Sequence, residues 1–139
     1  ALKRFDDVAD AGRAATMGKR ALVIDDSRAM RRVIANILTE HGFEVLEAGD
    51  GRAALEQLEA HEGIEVALVD WNMPVMNGYE FIKAVRAQPK YARLTMMMVT
   101  TETEMSQVVR ALAAGANEYV MKPFTADALV EKLELLGLL

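Results

Sequence analysis

The feature that most constrains this chain is an alternation repeated five times. From Ala21 onward, short apolar runs of strand length are each followed by an amphipathic segment. The runs are Ala21–Ile24, Glu44–Leu46, Val66–Val69, Met96–Val99 and Glu118–Met121. Met30, Val33, Ile34, Ile37 and Leu38 recur at i, i+3, i+4, i+7 and i+8, which predicts a helix with one apolar stripe. Met105, Val108, Val109 and Leu112 give a second stripe, and Phe81, Ile82 and Val85 a third. Leu55 with Leu58, and Leu129 with Leu133 and Leu136, give two more. Gly42 and Gly115 stand where helix C-caps are needed, Thr125 where an N-cap is needed, and Pro89 stops the third helix. Thr101-Glu102-Thr103-Glu104 has the pattern of a capping box. Strands alternating with helices imply an α/β fold whose parallel sheet is covered on both faces. Right-handed crossovers leave few topologies. In such sheets ligands bind beyond the carboxyl ends of the strands, so the residues there carry the functional question.

Bulk properties narrow the field. The 139 residues suit one domain with its own core. The opening segment, residues 1–18, differs from the rest: it is polar, with Leu2, Phe5 and Val8 as its sizeable apolar groups. It reads as a tail, linker or docking arm, or simply upstream sequence, before a domain spanning residues 19–139. With no cysteine there is no disulfide and no thiolate chemistry. No apolar run approaches the ~20 residues of a membrane span, so no membrane partner is expected. A net charge of −5 without a basic cluster argues against nucleic acid.

Asp25 and Asp26 follow the first run, Asp70 ends the third, Thr100 and Thr101 follow the fourth, and Lys122 follows the fifth. A parallel sheet would bring all of them to one edge. At ~4 Å and an effective dielectric near 20, each like-charged pair costs on the order of 4 kcal/mol. Protons or a bound cation must offset that. Oxygen donors without His or Cys favour Mg²⁺, Mn²⁺ or Ca²⁺ over zinc, and Mg²⁺ leaves coordination positions for phosphate oxygens. Asp70 is then a candidate nucleophile for phosphoryl transfer, since a carboxylate can form an aspartyl phosphate. Asp26 would bind the cation directly, and Asp25 directly or through water. Lys122 and the Thr100 hydroxyl would meet the phosphoryl oxygens. A cis Lys122–Pro123 bond would aim Lys122 into the pocket. Taken singly, an Asp after a strand is usually a turn former or cap, and Thr100 or Lys122 alone is unremarkable. The joint placement carries the reading.

The motifs Val23-Ile24-Asp25-Asp26-Ser27, Val69-Asp70-Trp71-Asn72-Met73-Pro74, Asn77-Gly78, Val99-Thr100 and Tyr119-Val120-Met121-Lys122-Pro123-Phe124 occur in order along the chain. Together they resemble the receiver domains of bacterial two-component response regulators, and most of all those of chemotaxis. The resemblance covers about Lys19 to the end. It implies a flavodoxin-like (βα)5 three-layer sandwich with strand order 2-1-3-4-5, the order known for chemotaxis receivers. It further implies a phosphorelay switch that accepts a phosphoryl group on Asp70 from a sensor histidine kinase. Mg²⁺, or Mn²⁺, would be held by Asp25 through water, by Asp26 and Asp70, and by the backbone carbonyl of Asn72. Asn72 and Glu102 occupy positions that tune hydrolysis of the phosphoryl group. Thr100 and Tyr119 form the switch, and the surface of the fourth helix, fifth strand and fifth helix carries the signal. Such a protein is cytoplasmic and is not an enzyme, although it catalyses its own phosphorylation and dephosphorylation. Thr101 departs from the small residue usual after the conserved Thr.

With no further domain expected after Leu139, the target would be a protein, such as a flagellar motor switch protein. A phosphorelay intermediate, or a receiver belonging to a larger regulator, is the alternative output. A haloacid dehalogenase-like phosphatase would need an acid where Asn72 stands, and a cap. A flavodoxin-like electron carrier would need a hydroxyl- and glycine-rich loop where Asp25 and Asp26 stand. The Met96-Met97-Met98 run reads as core filler, and His41 and His61 as solvated. Met105, Val108 and Val109 are expected in the core.

Overall fold

Runs of Val, Ile, Leu and Met on successive strands can be buried on both faces only if helices cover both sides of the sheet. A computed structural model of the chain describes residues 19–101 and 105–139, and there the arrangement is found. The expectations for residues 1–18, Glu102 and the capping pair Thr103 and Glu104 fall outside the described residues. The order is β1 Arg20–Ile24, α1 Arg28–Glu40, β2 Glu44–Ala48, α2 Gly51–Ala60, β3 Ile64–Asp70, α3 Gly78–Arg86, a 3-10 turn Pro89–Tyr91, β4 Thr95–Thr101, α4 Met105–Ala114, β5 Glu118–Lys122 and α5 Ala126–Leu135. All strands are parallel, in the expected order β2-β1-β3-β4-β5. Among the described residues, no helix is long and apolar enough to cross a membrane.

The strands run further than the apolar runs suggested. Asp70 pairs with Val99, Thr100 with Met121, and Thr101 with Lys122. Thr100, Thr101 and Lys122, expected just beyond their strands, are therefore paired within them, whereas Asp70 ends β3 and Asp25 and Asp26 follow β1 as expected. Polarity ends the apolar signal before the backbone ladder ends.

Period-two alternation divides the strands between two cores. Leu22, Ile24, Val69, Met96 and Met98 pack with Leu58 of α2, Phe81, Ile82 and Val85 of α3, and Ala111 of α4. Val23, Leu68, Met97, Val99 and Val120 pack with Ile34 and Leu38 of α1 and with Leu129 and Leu133 of α5. The three methionines are fully buried filler, as expected. Each large apolar side chain so buried contributes roughly 1.5–3 kcal/mol. Three stripe residues do not join them. Val33 is 50% exposed, Val109 71% and Leu112 40%. On α4, Val108 and Ala111 fill the buried stripe, and the 100° step per residue turns Val109 and Leu112 outward. The expectation that Val109 is core is corrected. The side chain of Met105 lies outside the described residues.

The turns that follow β1, β2, β3 and β5 at the functional edge are each closed by a polar cap. The Met30 N–H donates to Ser27 Oγ at 3.2 Å, Ala53 N–H to Asp50 Oδ1 at 2.8 Å, and Ala128 N–H to Thr125 Oγ1 at 3.1 Å. Asn77 and Glu80 cap α3 reciprocally, at 2.9 Å each way. The opposite end of the sheet hangs on Arg86. Its guanidinium donates to the carbonyls of Gly115, Tyr91 and Leu94 and to Asn117 Oδ1, at 2.7–3.0 Å. Gly115 has φ +128°, and a Cβ there would collide with the Arg86 side chain.

Replacing Arg86 by Met removes a donor from four acceptors, of which the Tyr91 carbonyl and Asn117 Oδ1 keep a backbone N–H. Arg86→Met should lower unfolding stability by about 2–4 kcal/mol, read from urea denaturation, with phosphoryl-mimic binding retained in the folded fraction.

Candidate functional site

At the carboxyl edge, β1 hands over to a turn that opens with two acids. Asp25 is 2% exposed. Its N–H donates to the Ala48 carbonyl on β2 at 3.1 Å, and its Oδ1 accepts from the Ser27 N–H at 2.8 Å. Asp26 is exposed. Asp70, the last residue of β3, is 8% exposed. One carboxylate oxygen from each of Asp25, Asp26 and Asp70 lies within 4.8 Å of the others.

Lys122, the last residue of β5, reaches across β4 to this cluster. Its Nζ donates to Asp70 Oδ1 at 3.2 Å and to Asp25 Oδ2 at 3.3 Å. The Lys122–Pro123 bond is cis. The Thr100 side chain is buried on β4 between them, its hydroxyl 3.4 Å from the Thr101 carbonyl. The structure thus brings together Asp25, Asp26, Asp70 and Lys122. Asn72 is exposed in the loop after β3. Tyr119 is half-buried on β5 and packs on the α2–α3–α4 side of the sheet, with Lys132 Nζ 4.8 Å from its ring centroid. Glu102 lies outside the described residues. His41 and His61 sit at helix ends, each with Nδ1 near a carbonyl of its own helix (2.9 Å from Ile37 O, 3.3 Å from Gln57 O), away from the acids.

The β3–α3 loop is held close to the site. A Cβ on Gly78 would collide with the Asp70 carbonyl, so only glycine lets α3 start there. The Gly78 N–H donates to the Trp71 carbonyl at 3.0 Å, and the Gly51 N–H of α2 to the Met76 carbonyl at 3.0 Å. Between them Val75 has φ +69°, an uncommon conformation for a β-branched residue. Trp71 is buried beside Asp70, its ring 5.8 Å from that of Tyr79.

The electrostatics follow from crowding. Burial and the neighbouring Asp25 carboxylate push the Asp70 carboxyl from 3.8 up to about 6, although Lys122 pulls the other way. Burial works against the Lys122 ammonium, but Asp70 and Asp25 outweigh it and hold its pKa above the usual lysine value. One ammonium does not neutralise three acids. A hard divalent cation fits the donor set: three converging carboxylates, two of them buried, with no His or Cys among them.

One participant escaped the sequence reading. Arg31 of α1 donates from Nη1 to the Asp25 carbonyl at 2.6 Å and from Nε to Glu47 Oε1 at 3.1 Å. Arg31 lies off the apolar stripe of α1, and only the pairing of β1 with β2 places Glu47 within its reach.

The sequence profile of the response regulator receiver domain matches residues 21–134. The chain therefore belongs to the receiver domain family, whose members hold Mg²⁺ in an acidic pocket. Within it the chain is of the CheY type. It is 50% identical over 116 residues to a chemotaxis protein CheY homolog of Campylobacter jejuni, covering 83% of this chain and 89% of that protein. It is 47% identical to chemotaxis protein CheY1 of Helicobacter pylori, covering 84% and 94%. The structure of CheY4 of Vibrio cholerae superimposes with a TM-score of 0.78 at 38% identity, over 84% of this chain and 97% of that one.

Because the Asp70 pKa is raised on folding, its ionised form costs stability. The cost is complete above about pH 6, shrinks as the pH falls, and vanishes below about 4, where folded and unfolded chains are both protonated. In a chelating buffer at pH 7.5, Asp70→Asn should therefore be more stable than wild type by roughly 1–2 kcal/mol, allowing for water at the sheet edge. Urea melts repeated at pH 4 should show the advantage gone.

Proposed function

We propose that this chain is a phosphorylation switch of chemotaxis signalling, with Asp70 as the phosphoryl acceptor and residues 19–139 as the working unit. The observation that carries the reading is Lys122, bridging Asp25 and Asp70 within a cluster of three carboxylates. CheY-like receivers are phosphorylated by histidine kinases, which supports a phosphohistidine donor.

An Asp70 Oδ atom attacks phosphorus, the P–N bond to the kinase imidazole breaks as the O–P bond forms, and the imidazole leaves with a proton from solvent. Lys122 turns from its two carboxylates to the phosphoryl oxygens, as a flexible point charge can. The Thr100 hydroxyl donates to another of those oxygens. Asp26, Asp70 and the Asn72 carbonyl would hold Mg²⁺ (or Mn²⁺), with Asp25 through water; the ion supplies charge neutralisation and alignment for the phosphoryl group. Water attack on phosphorus returns the Asp70 carboxylate and releases phosphate, with Asn72 and Glu102 setting its access. Apart from this self-catalysed cycle the chain is not an enzyme.

Output follows from Thr100 moving towards the phosphoryl group and Tyr119 turning inward into the space it leaves. That repacking biases the α4–β5–α5 surface between two states. Exposed Val109, Leu112 and Leu135 make this surface apolar, and a groove of about 710 Å³ lies along β5 and α5, lined by Tyr119, Met121, Phe124 and Leu135 among others. The chemotaxis names of the relatives support a flagellar motor switch protein as the target and the cytoplasm as the compartment.

Beryllofluoride with Mg²⁺, titrated against Trp71 fluorescence, tests the reading. Wild type should give a saturable, Mg²⁺-dependent change that Asp70→Ala abolishes. Lys122→Met should bind Mg²⁺ alone roughly tenfold more tightly, because the competing ammonium is gone, yet lose the beryllofluoride response. A silent wild type, or an equal response from Asp70→Ala, would contradict the assignment.

A further inference from the structure

Asp25 is tethered at four atoms. Its N–H, Oδ1 and Oδ2 are engaged by Ala48, Ser27 and Lys122, and its carbonyl accepts from Arg31 at 2.6 Å. The last of these has no counterpart in the roles assigned so far. The carbonyl belongs to the peptide that joins Asp25 to Asp26, so whatever holds it fixes the backbone from which the Asp26 side chain projects. Asp26 itself is exposed.

Arg31 is in turn held. Its Nε donates to Glu47 Oε1; the Arg31 side chain is 18% exposed and that of Glu47 35%. The Glu47 carbonyl accepts from Gln57 Nε2 of α2 at 2.9 Å, which ties this part of β2 to a second helix. The guanidinium is a rigid fork that can satisfy two acceptors at once, which a lysine ammonium on a flexible stem does less well.

We infer that Arg31, oriented by Glu47, is a positioning residue for divalent cation binding by Asp25 and Asp26. This rests on the assignment of those acids as the cation site. Outer groups that orient metal ligands typically change affinity by 10–100-fold when removed. The inference has a sign that electrostatics alone does not share. A cation beside the acids repels Mg²⁺, so if charge were the whole effect its removal would tighten binding. If Arg31 positions the ligands, its removal weakens binding.

Mg²⁺ titrations of the full chain, followed by Trp71 fluorescence and run beside urea melts, separate these cases. Arg31→Met and Arg31→Lys should both weaken Mg²⁺ binding, by about tenfold for the former. Glu47→Gln, which keeps an acceptor oxygen, should retain most of the affinity that Glu47→Ala loses. Glu44→Ala, which breaks the exposed Arg20–Glu44 pair at the far end of the same two strands, should leave it unchanged. Should Arg31→Met fold poorly, the two Glu47 variants and Arg31→Lys carry the test. Tighter or unchanged binding in Arg31→Met, or equal affinities for Glu47→Gln and Glu47→Ala, would overturn the inference. Asp26→Asn is the control for the underlying site. If wild type binds and Asp26→Asn does not, while the Arg31 and Glu47 variants match wild type, the site stands and the positioning role falls. If wild type and Asp26→Asn respond alike, the site assignment itself falls.

Discussion

Like-charge repulsion at the carboxyl edge of the sheet is the constraint to which the rest of this molecule answers. Three carboxylates converge with one ammonium between two of them. Left to themselves, chains do not gather acids in a partly buried place, because both burial and mutual repulsion oppose their ionisation. The elevated Asp70 pKa records that opposition. What forces the acids together is a pair of apolar cores that lock five parallel strands in register, one on each face of the sheet. The fold supplies the stability and the site uses a part of it to hold charge in a strained arrangement. Such an arrangement is relieved by whatever neutralises it, and a switch needs that responsiveness.

The division of labour is spatial. At the far edge, Arg86 gathers three carbonyls and an amide oxygen and fixes the loops around β4 and β5. At the functional edge, hydrogen bonds hold backbone rather than bury charge: Ala48 and Arg31 hold Asp25, and Trp71 holds Gly78. Gly78 lets α3 begin against the Asp70 carbonyl, so the residue carrying the chemistry is also the floor on which the next helix rests. Chemical change at Asp70 is thereby placed next to groups that packing can transmit.

Much of this was legible in the residues, for physical reasons. Strands buried on both faces leave unbroken apolar runs, and a cap such as Thr125 announces a helix start. Asp25, Asp26, Asp70 and Lys122 stood out because polar groups at the ends of apolar runs are conspicuous, and the parallel topology leaves them one edge to share. Three things were hidden. The ladders extend through Thr101 and Lys122, since backbone pairing has no side-chain signature. The stripe on α4 looked apolar throughout, but Val109 and Leu112 face outward, and hydropathy alone does not say which flank of a wide stripe meets the sheet. Arg31 was invisible for a third reason: its partners lie in a turn and on a neighbouring strand, and only register brings them together.

The central claim is covalent, and it is tested most directly by covalent chemistry. Incubating the chain with an acyl phosphate donor and mapping the product by peptide mass spectrometry reads it at single-residue resolution. The account predicts one phosphoryl group on the peptide containing Asp70, formed with Mg²⁺, absent with a chelator, labile to hydroxylamine, and lost in Asp70→Asn. A stable modification on a serine or threonine, or labelling of Asp70 that is indifferent to the chelator, would contradict it.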